Sequence, residues 1–392
     1  MREDWLLSET RNKAIPALRD QIVALNNHMA LHPETGSEEY ESSKRMVELL
    51  RNEGVEVEYP YLDLPTAFMA TINPGKERIC AFLAEYDALR GLGHACGHCA
   101  SGSASLLAAL ALNRVKDELN FTVKLIGTPD EEFQGRKATL ANRGAFTGLD
   151  FAAMVHMNGR SQSLTRFIAL DAWRIEFFGK AAHAAAAPEK GTNAFNAARL
   201  FFDAVDMMRQ HIVQEARLHG IIIKGGDASN IIPDYTEIEF LSRAPSRNDL
   251  EDISAWVKEC AQAAALATRT QVKIGQLSEP FHDLYVSPAG LALLCEIFDD
   301  MGIPYQKKED KGSGSSDIGN VDYICPTFHP MMGIGQDLDL HTQAFADAMT
   351  DPRTHHAIVA SAEYLVRLAL KLYCHPEILE EVSRQHRAYR NL

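Results

Sequence analysis

The sequence predicts an α/β fold with a mixed, mainly parallel sheet, interrupted by a smaller inserted α+β open sandwich. Two observations carry this expectation. In both outer parts of the chain, apolar runs that end in polar loops are separated by helical patterns, as in a parallel sheet covered by helices. Near residues 168 and 282 the rhythm changes, and the enclosed stretch reads β-α-β-β-α-β. The expected division is a split domain over 1–167 and 283–392, with an inserted domain over 168–282. A length of 392 residues fits two domains better than one core.

The elements follow in order. Ile15, Leu18, Ile22 and Leu25 recur at helical spacing and predict a helix over about Lys13–Leu31. Ser37 precedes Glu38, Glu39 and a second periodic run through Leu49 and Leu50, which predicts a helix capped by that serine. ICAFLAEYDAL, residues 79–89, begins as a buried strand and ends as a polar loop. A buried helix follows from Ser103, then a strand from Phe121, and then FAAMVHM at 151–157 as a third strand. Asp87, Glu131, Glu132 and His156 all fall at strand ends, where ligands collect in such sheets. In the insertion, strands are expected in AWRIEFFGK, LHGIIIKGG, YTEIEFLSRAP and Val272–Ile274. Helices are expected from Asn193 to near His211 and from Asn248 to Leu266. The last part holds helices near 288–301 and 353–371, with a Gly/Ser-rich bound loop at 311–320 between them.

Composition narrows the function. Lys plus Arg is 39 against 53 for Asp plus Glu, a net charge of −14, which argues against nucleic acid or an anionic membrane as main partner. The apolar stretch Leu106–Leu112 is far too short to span a bilayer, and MREDWLLSETR carries no leader pattern, so a cytoplasmic location is expected. The seven cysteines are odd in number and scattered, which suits reduced thiols. No GxGxxG, GxxxxGK[ST] or GxSxG segment is present.

Chemistry concentrates in a few segments. GHACGHC, residues 93–99, offers His94, Cys96, His98 and Cys99 just before an apolar helix. Thiolate and imidazole are ready zinc ligands, and imidazole with carboxylate also suits manganese. The Cys96/Cys99 spacing is equally that of a redox pair, and a structural cluster is a third reading. TPDEE, residues 128–132, pairs Glu131 with Glu132. Adjacent glutamates suit a solvated loop; they also suit a metal site in which one carboxylate holds an ion and its neighbour takes a proton from water. His156 and His341 would complete a set with Cys96, His98 and Glu132 that has the chemistry of a two-metal centre.

These segments resemble the M20 metallopeptidases and amidohydrolases. They resemble especially the branch with aminobenzoyl-glutamate hydrolases, N-acyl-amino-acid hydrolases and β-alanyl-dipeptidase-like proteins. The resemblance rests on LHPETGSEE, AEYDAL, GHACGHC, GTPDEEFQG, VHM, GKAAHAAAAPEKGTNA, GGDASNIIPD, GSGSSDIGNVDYICPTFHP and LHTQAF, in this order along nearly the whole chain. It implies a zinc-peptidase-like catalytic domain and a lid or dimerisation domain. It implies two divalent ions per subunit, manganese or zinc, held by Cys96, His98, Glu132, His156 and His341, with Cys96 bridging. Glu131 would be the general base for metal-activated water, and Asp87 would orient a ligand imidazole. His183 would reach a partner subunit's site. Asn230, Arg243, Ser315, Ser316 and Asp317 would contact substrate. The implied activity is hydrolysis of an amide bond in a dipeptide or N-acylated amino acid by a homodimer or higher homo-oligomer. An aminoacylase or aminobenzoyl-glutamate hydrolase is the narrower rival to a dipeptidase. A non-catalytic metal-binding or assembly protein of the same fold is the rival from another class. One departure stands out: Cys99 occupies a position where the branch usually has Asp or Asn.

Overall fold

A strand buried on both faces of a sheet needs nearly continuous apolar sequence, and Cys80–Ala84 and Phe121–Val123 supply it. The computed structural model describes residues 2–307 and 314–391. Two units partition them: one holds 2–166, 284–307 and 317–391, and the other holds 167–283 with 314–316. Residues 311–313 of the expected Gly/Ser-rich loop lie outside the described residues.

The first unit opens with α1 (Glu3–Glu9), a π-helical turn over Thr10–Ala14, α2 (Ile15–Leu31) and α3 (Tyr40–Asn52). Strands β1 (Glu56–Glu58), β2 (Phe68–Ile72) and β3 (Arg78–Ala84) lead into α4 (His98–Asn113) and β4 (Phe121–Gly127). Then come α5 (Arg136–Asn142), β5 (Phe151–Ala153) and β6 (His156–Asn158). The second unit contains β7 (Ala169–Phe178), α6 (Ala194–Met208), β8 (Arg217–Lys224), β9 (Tyr235–Ala244), α7 (Arg247–Thr268) and β10 (Gln271–Gln276). The first unit resumes with α8 (Pro288–Met301), α9 (Ile318–Asp322), β11 (Thr327–Phe328) and β12 (Met331–Gly333). It ends with α10 (Gln343–Asp347), α11 (Pro352–Cys374) and α12 (Pro376–Arg390).

The main sheet of the first unit runs β1-β2-β4-β3-β5-β11. β4, β3, β5 and β11 are mutually parallel, while β2 and β1 continue the sheet antiparallel. The mixed, mainly parallel sheet read from the sequence is therefore present. Its central strands carry the loops that bear Asp87 and the Glu131/Glu132 pair at their C-terminal ends.

Helix α4 packs against β3 with every residue buried. Small side chains permit the approach. A Cβ at Gly102 would lie 2.0 Å from the Glu85 carbonyl oxygen, so no larger residue fits there without moving backbone. Ser105 donates its hydroxyl to the Leu83 carbonyl at 2.6 Å.

Three local expectations change. Ser37 does not cap α3; it sits at φ 64° and bonds Asp130 instead. The Glu34 carboxylate accepts the N–H groups of Glu41 at 3.0 Å and Ser42 at 2.7 Å, so an acidic side chain satisfies that helix start. Residues 151–157 are not one strand. β5 belongs to the main sheet, whereas β6 pairs in parallel with β12 in a separate two-stranded sheet. The last helix is α12 rather than the one near 353–371; only Leu379, Val382 and His386 of α12 are buried, too sparse a pattern to read.

The second unit is an antiparallel sheet in the order β10-β7-β9-β8. Burial alternates strictly along β9, so the sheet has one covered face, where Ile175, Phe177, Ile238 and Phe240 meet Phe201 of α6 and Val257 of α7. Asn193 and Ser246 cap the two helices with their side-chain oxygens. The connectivity is the β-α-β-β-α-β order expected. Among the described residues no helix is long and apolar enough to cross a membrane.

Candidate metal centre and active site

The site is built at the C-terminal ends of β3 and β4, the N-terminus of α4 and the start of β6. Gly97, at φ 82°, ends the loop before α4. A Cβ there would stand 3.0 Å from Met157 Cβ and 3.1 Å from Phe345, so glycine is needed for both conformation and space. Cys96 and His98 flank it, both buried. The Ser101 hydroxyl accepts the Met157 N–H at 3.0 Å, which ties α4 to the residue after His156.

The five expected ligands converge. Cys96, His98 and His156 form one group whose ligand atoms lie within 4.8 Å of one another. Cys96, Glu132 and His341 form a second, and His98, Glu131 and Glu132 a third. Cys96 Sγ lies 3.6 Å from His156 Nε2, and His341 Nε2 lies 3.8 Å from Glu132 Oε1. His341 arrives on a left-handed residue, φ 62°, whose N–H donates to the Ala95 carbonyl at 2.8 Å. That hydrogen bond docks a distant segment beside Cys96.

Local hydrogen bonds select the ligand atoms. His98 Nδ1 bonds Asp87 Oδ1 at 2.8 Å, and Asp87 Oδ2 accepts the Glu132 N–H at 3.0 Å. One carboxylate thus aims an imidazole and positions the next acidic residue. His156 donates from Nδ1 to its neighbour's carbonyl, Met157 O, at 2.7 Å, leaving Nε2 with its lone pair. Burial pushes the His156 pKa down to about 4, so the ring is neutral and ligand-competent near pH 7. Burial alone would raise the Asp87 carboxyl, but the His98 imidazole outweighs it and holds the pKa below the ordinary value. Burial pushes Glu131 well above the usual carboxylate range, with the Asp317 and Glu132 carboxylates adding to the effect.

His98 Nε2 and Glu132 Oε1 are buried and have no hydrogen-bond partner. Buried polar atoms are rarely left so. With a thiol, two buried imidazoles and paired carboxylates around them, the donor set fits one or two divalent ions.

Cys99 lies outside these ligand groups. Its side chain is buried in the apolar core, burial pushes its thiol up to about 12, and its N–H bonds His94 Nδ1 at 3.3 Å. That is a small core residue, inert as a redox partner for Cys96. All seven cysteines are free thiols.

The remaining expected contacts divide between the units. Asp317 is fully buried, and both its oxygens are engaged by Lys137, one by Nζ at 2.7 Å and one by the backbone N–H at 2.8 Å. In the second unit, Arg243 donates to Ser315 Oγ at 3.1 Å and has no carboxylate partner among the described residues. Ser316, beside it, is buried. His183 and Asn230 stand together on exposed loops, joined where the Ala184 N–H donates to the Asn230 carbonyl at 3.0 Å.

Four further residues, Glu85, Lys137, His329 and Glu39, receive no role in the sequence reading. Lys137 Nζ also meets Glu85 Oε1 at 2.6 Å. His329 lies against His156 with ring centroids 5.4 Å apart. A signal exists for Glu85, which stands two residues before Asp87 at the same strand end. None exists for Lys137, since a lone lysine in a helix reads as surface.

Glu39 is fully buried and accepts from the Asp130 N–H at 2.8 Å and the Thr66 hydroxyl at 3.0 Å. Burial, then the Asp87 charge, raises its pKa from 4.5 to about 8. The protonated form is thus favoured by folding. Its contribution is fully present below pH 4.5 and is lost as pH rises through about 8. Glu39→Gln is expected to remove this loss. Melting curves in chelator should show the variant gaining on wild type between about pH 5 and about pH 9; a constant difference would refute the assignment.

The chain is similar to several known proteins. Residues 170–269 match the family described as a peptidase dimerisation domain. The chain is 31% identical over 396 residues to the Xaa-Arg dipeptidase of Mus musculus, covering 97% of this chain and 92% of the relative. It is 32% identical over 283 residues to one of the p-aminobenzoyl-glutamate hydrolase subunits of Escherichia coli K12, covering 66% of this chain and 58% of that one. Its fold is that of a solved dinuclear metal-binding peptidase of the M20 family from Bacillus subtilis. There the TM-score is 0.65 at 20% identity, over 91% of this chain and 99% of that chain.

Proposed function

Because the chain belongs to the M20 family of metallopeptidases and amidohydrolases, we propose that it hydrolyses the amide bond of a dipeptide or N-acylated amino acid, with Glu131 as general base. The observation that carries the reading is a set of three overlapping ligand groups in which Cys96, His98 and Glu132 each appear twice and Glu131 once. Cys96, His98 and His156 would hold one divalent ion, manganese or zinc. Cys96, Glu132 and His341 would hold the other, with Cys96 common to both. Bound ions supply Lewis acidity and lower the pKa of the attacking water.

The chain's own residues do the rest. Glu131 takes one proton from the water as its oxygen bonds the amide carbonyl carbon. The same carboxyl then gives that proton to the leaving nitrogen as the C–N bond breaks. Asp87 holds His98 and the Glu132 backbone in place. His183 and Asn230 are assigned to the developing oxyanion, His183 from a partner subunit, in keeping with the dimerisation-domain match. Arg243, a half-buried guanidinium held by the Ser315 hydroxyl with no ion pair among the described residues, is assigned to a substrate carboxylate, with Ser315 and Ser316 beside it. Asp317 supports Lys137 rather than meeting substrate.

The test is a hydrolysis screen of manganese- and zinc-loaded protein. It should cover dipeptides with C-terminal arginine, β-alanyl dipeptides, N-acyl amino acids and aminobenzoyl-glutamate, with products read by mass. Turnover is expected with metal and should vanish on chelation. Absence of turnover across the set, with metal bound, overturns the reading. The mouse relative's name and its full-length match favour the dipeptides.

A further inference from the structure

A cavity of about 370 Å³ opens at the far end of the main sheet from the metal centre. Arg78, which begins β3, lines it together with Asp150 just before β5 and Pro326 just before β11. The metal centre stands at the C-terminal end of β3, and the seven residues of that strand span about 20 Å. Helix α12 forms another wall with Glu380, Ser383, His386 and Arg387. Arg78 and Asp150 satisfy each other at 3.0 Å, and the second Asp150 oxygen accepts the Ile79 N–H at 2.7 Å. Glu380 and Arg387 are uncommitted: neither side chain has a hydrogen bond or ion pair among the described residues.

Their charges are opposite and two helical turns apart, about 10 Å along the axis, which leaves room for a ligand between them. His386, on the same wall, is 3% exposed. Its Nε2 faces the Asp322 carbonyl at 2.6 Å and Asp322 Oδ1 at 3.1 Å, so that nitrogen carries the proton. Nδ1 has no hydrogen bond among the described residues and is an acceptor in the neutral ring. Polar atoms on so buried a side chain are rarely left without a partner. The wall thus offers a cation, an anion and a neutral acceptor, and Leu149, Ile324, Pro326 and Leu379 supply apolar surface beside them. We propose that this cavity binds a free amino acid with an apolar side chain. Arg387 takes its carboxylate, Glu380 and His386 Nδ1 take its ammonium, and the aliphatic residues take its side chain. The proposal is independent of the hydrolase reading, although such amino acids are what that reaction would release.

Calorimetric titration of the full chain, supplied with manganese, tests it. The probes are leucine, isocaproate, which lacks the ammonium, and isoamylamine, which lacks the carboxylate. Leucine is expected to bind with a Kd near or below about 1 mM, and each single-charge analogue at least about tenfold more weakly. Arg387→Met and Glu380→Gln should each weaken leucine by at least about fivefold, with the ligand-free melting temperature unchanged because both side chains are exposed. Arg243→Met, in the other unit, should leave that binding intact. Neither heat nor a rise in melting temperature with leucine up to about 10 mM overturns the proposal. So does leucine binding that both α12 variants retain, or that Arg243→Met abolishes, because the amino acid then sits elsewhere. Analogues that bind as tightly as leucine overturn the assignment of the two charges.

Discussion

Glu131→Gln is expected to lower kcat by about 10²–10⁴-fold while metal uptake and melting temperature stay near those of wild type. Glu131 and Glu132 are adjacent, but their surroundings differ. The Glu132 N–H is fixed on Asp87, and its side chain meets His341. Glu131 lies close to His98 and Glu132. Burial and the neighbouring Asp317 and Glu132 carboxylates make it retain a proton more readily than a free glutamate, with Lys137 opposing them. A general base must start ionised, and cations held by the neighbouring ligands would favour that form over the protonated one. Glutamine keeps the shape and one acceptor but carries no exchangeable acid proton. Steady-state kinetics at saturating metal, with metal content measured on the same samples, checks this. A kcat within roughly threefold of wild type would show that Glu131 is not the base.

Lys137→Met should cost about 3–5 kcal/mol of stability. The Lys137 ammonium is 0% exposed and lies between Asp317 Oδ1 at 2.7 Å and Glu85 Oε1 at 2.6 Å. Burial disfavours its charge, yet the Asp317 and Glu85 carboxylates more than compensate and raise its pKa. Methionine fills much of the same volume but strands two buried carboxylates. Adding Asp317→Asn removes one of them, so the double variant should recover part of the loss, and a double-mutant cycle in urea isolates the coupling. A single variant within about 1 kcal/mol of wild type would mean that the buried charges are solvated by another route.

Much of this fold is legible because the apolar pattern is unambiguous where a strand or helix is covered on both sides. The stretches Cys80–Ala84 and Leu106–Leu112 have no polar side chain to dilute it. Residues 151–157 read as a single strand because the chain passes from one sheet to another at Met154 and Val155, both buried and apolar, with no turn residue between them. Ser37 does not cap the helix because the Glu34 carboxylate takes its first N–H groups and the Ser37 hydroxyl bonds Asp130. In the site, Cys96, His98, Glu131, Glu132, His156 and His341 announce themselves by chemistry at element ends. Glu85, Lys137 and the partnership of Asp317 do not. Their significance lies in pairs such as Lys137 and Asp317, which are 180 residues apart and become a unit only after the sheet and α5 have formed.

The complete burial of α4 has a consequence for how the protein acquires its ions. A helix without a solvent face is held by packing on every side, and it carries His98 at its first turn and Cys96 just before it. Its amides should be among the slowest to exchange with deuterium, and equally slow with or without chelator. The binding pocket is then shaped before any ion arrives, unlike small zinc domains that are unfolded until metal binds. On the proposed function, ion loss would then silence the chain without unfolding it and resupply would restart it, so metal availability would act as a reversible throttle rather than a condition for survival of the fold.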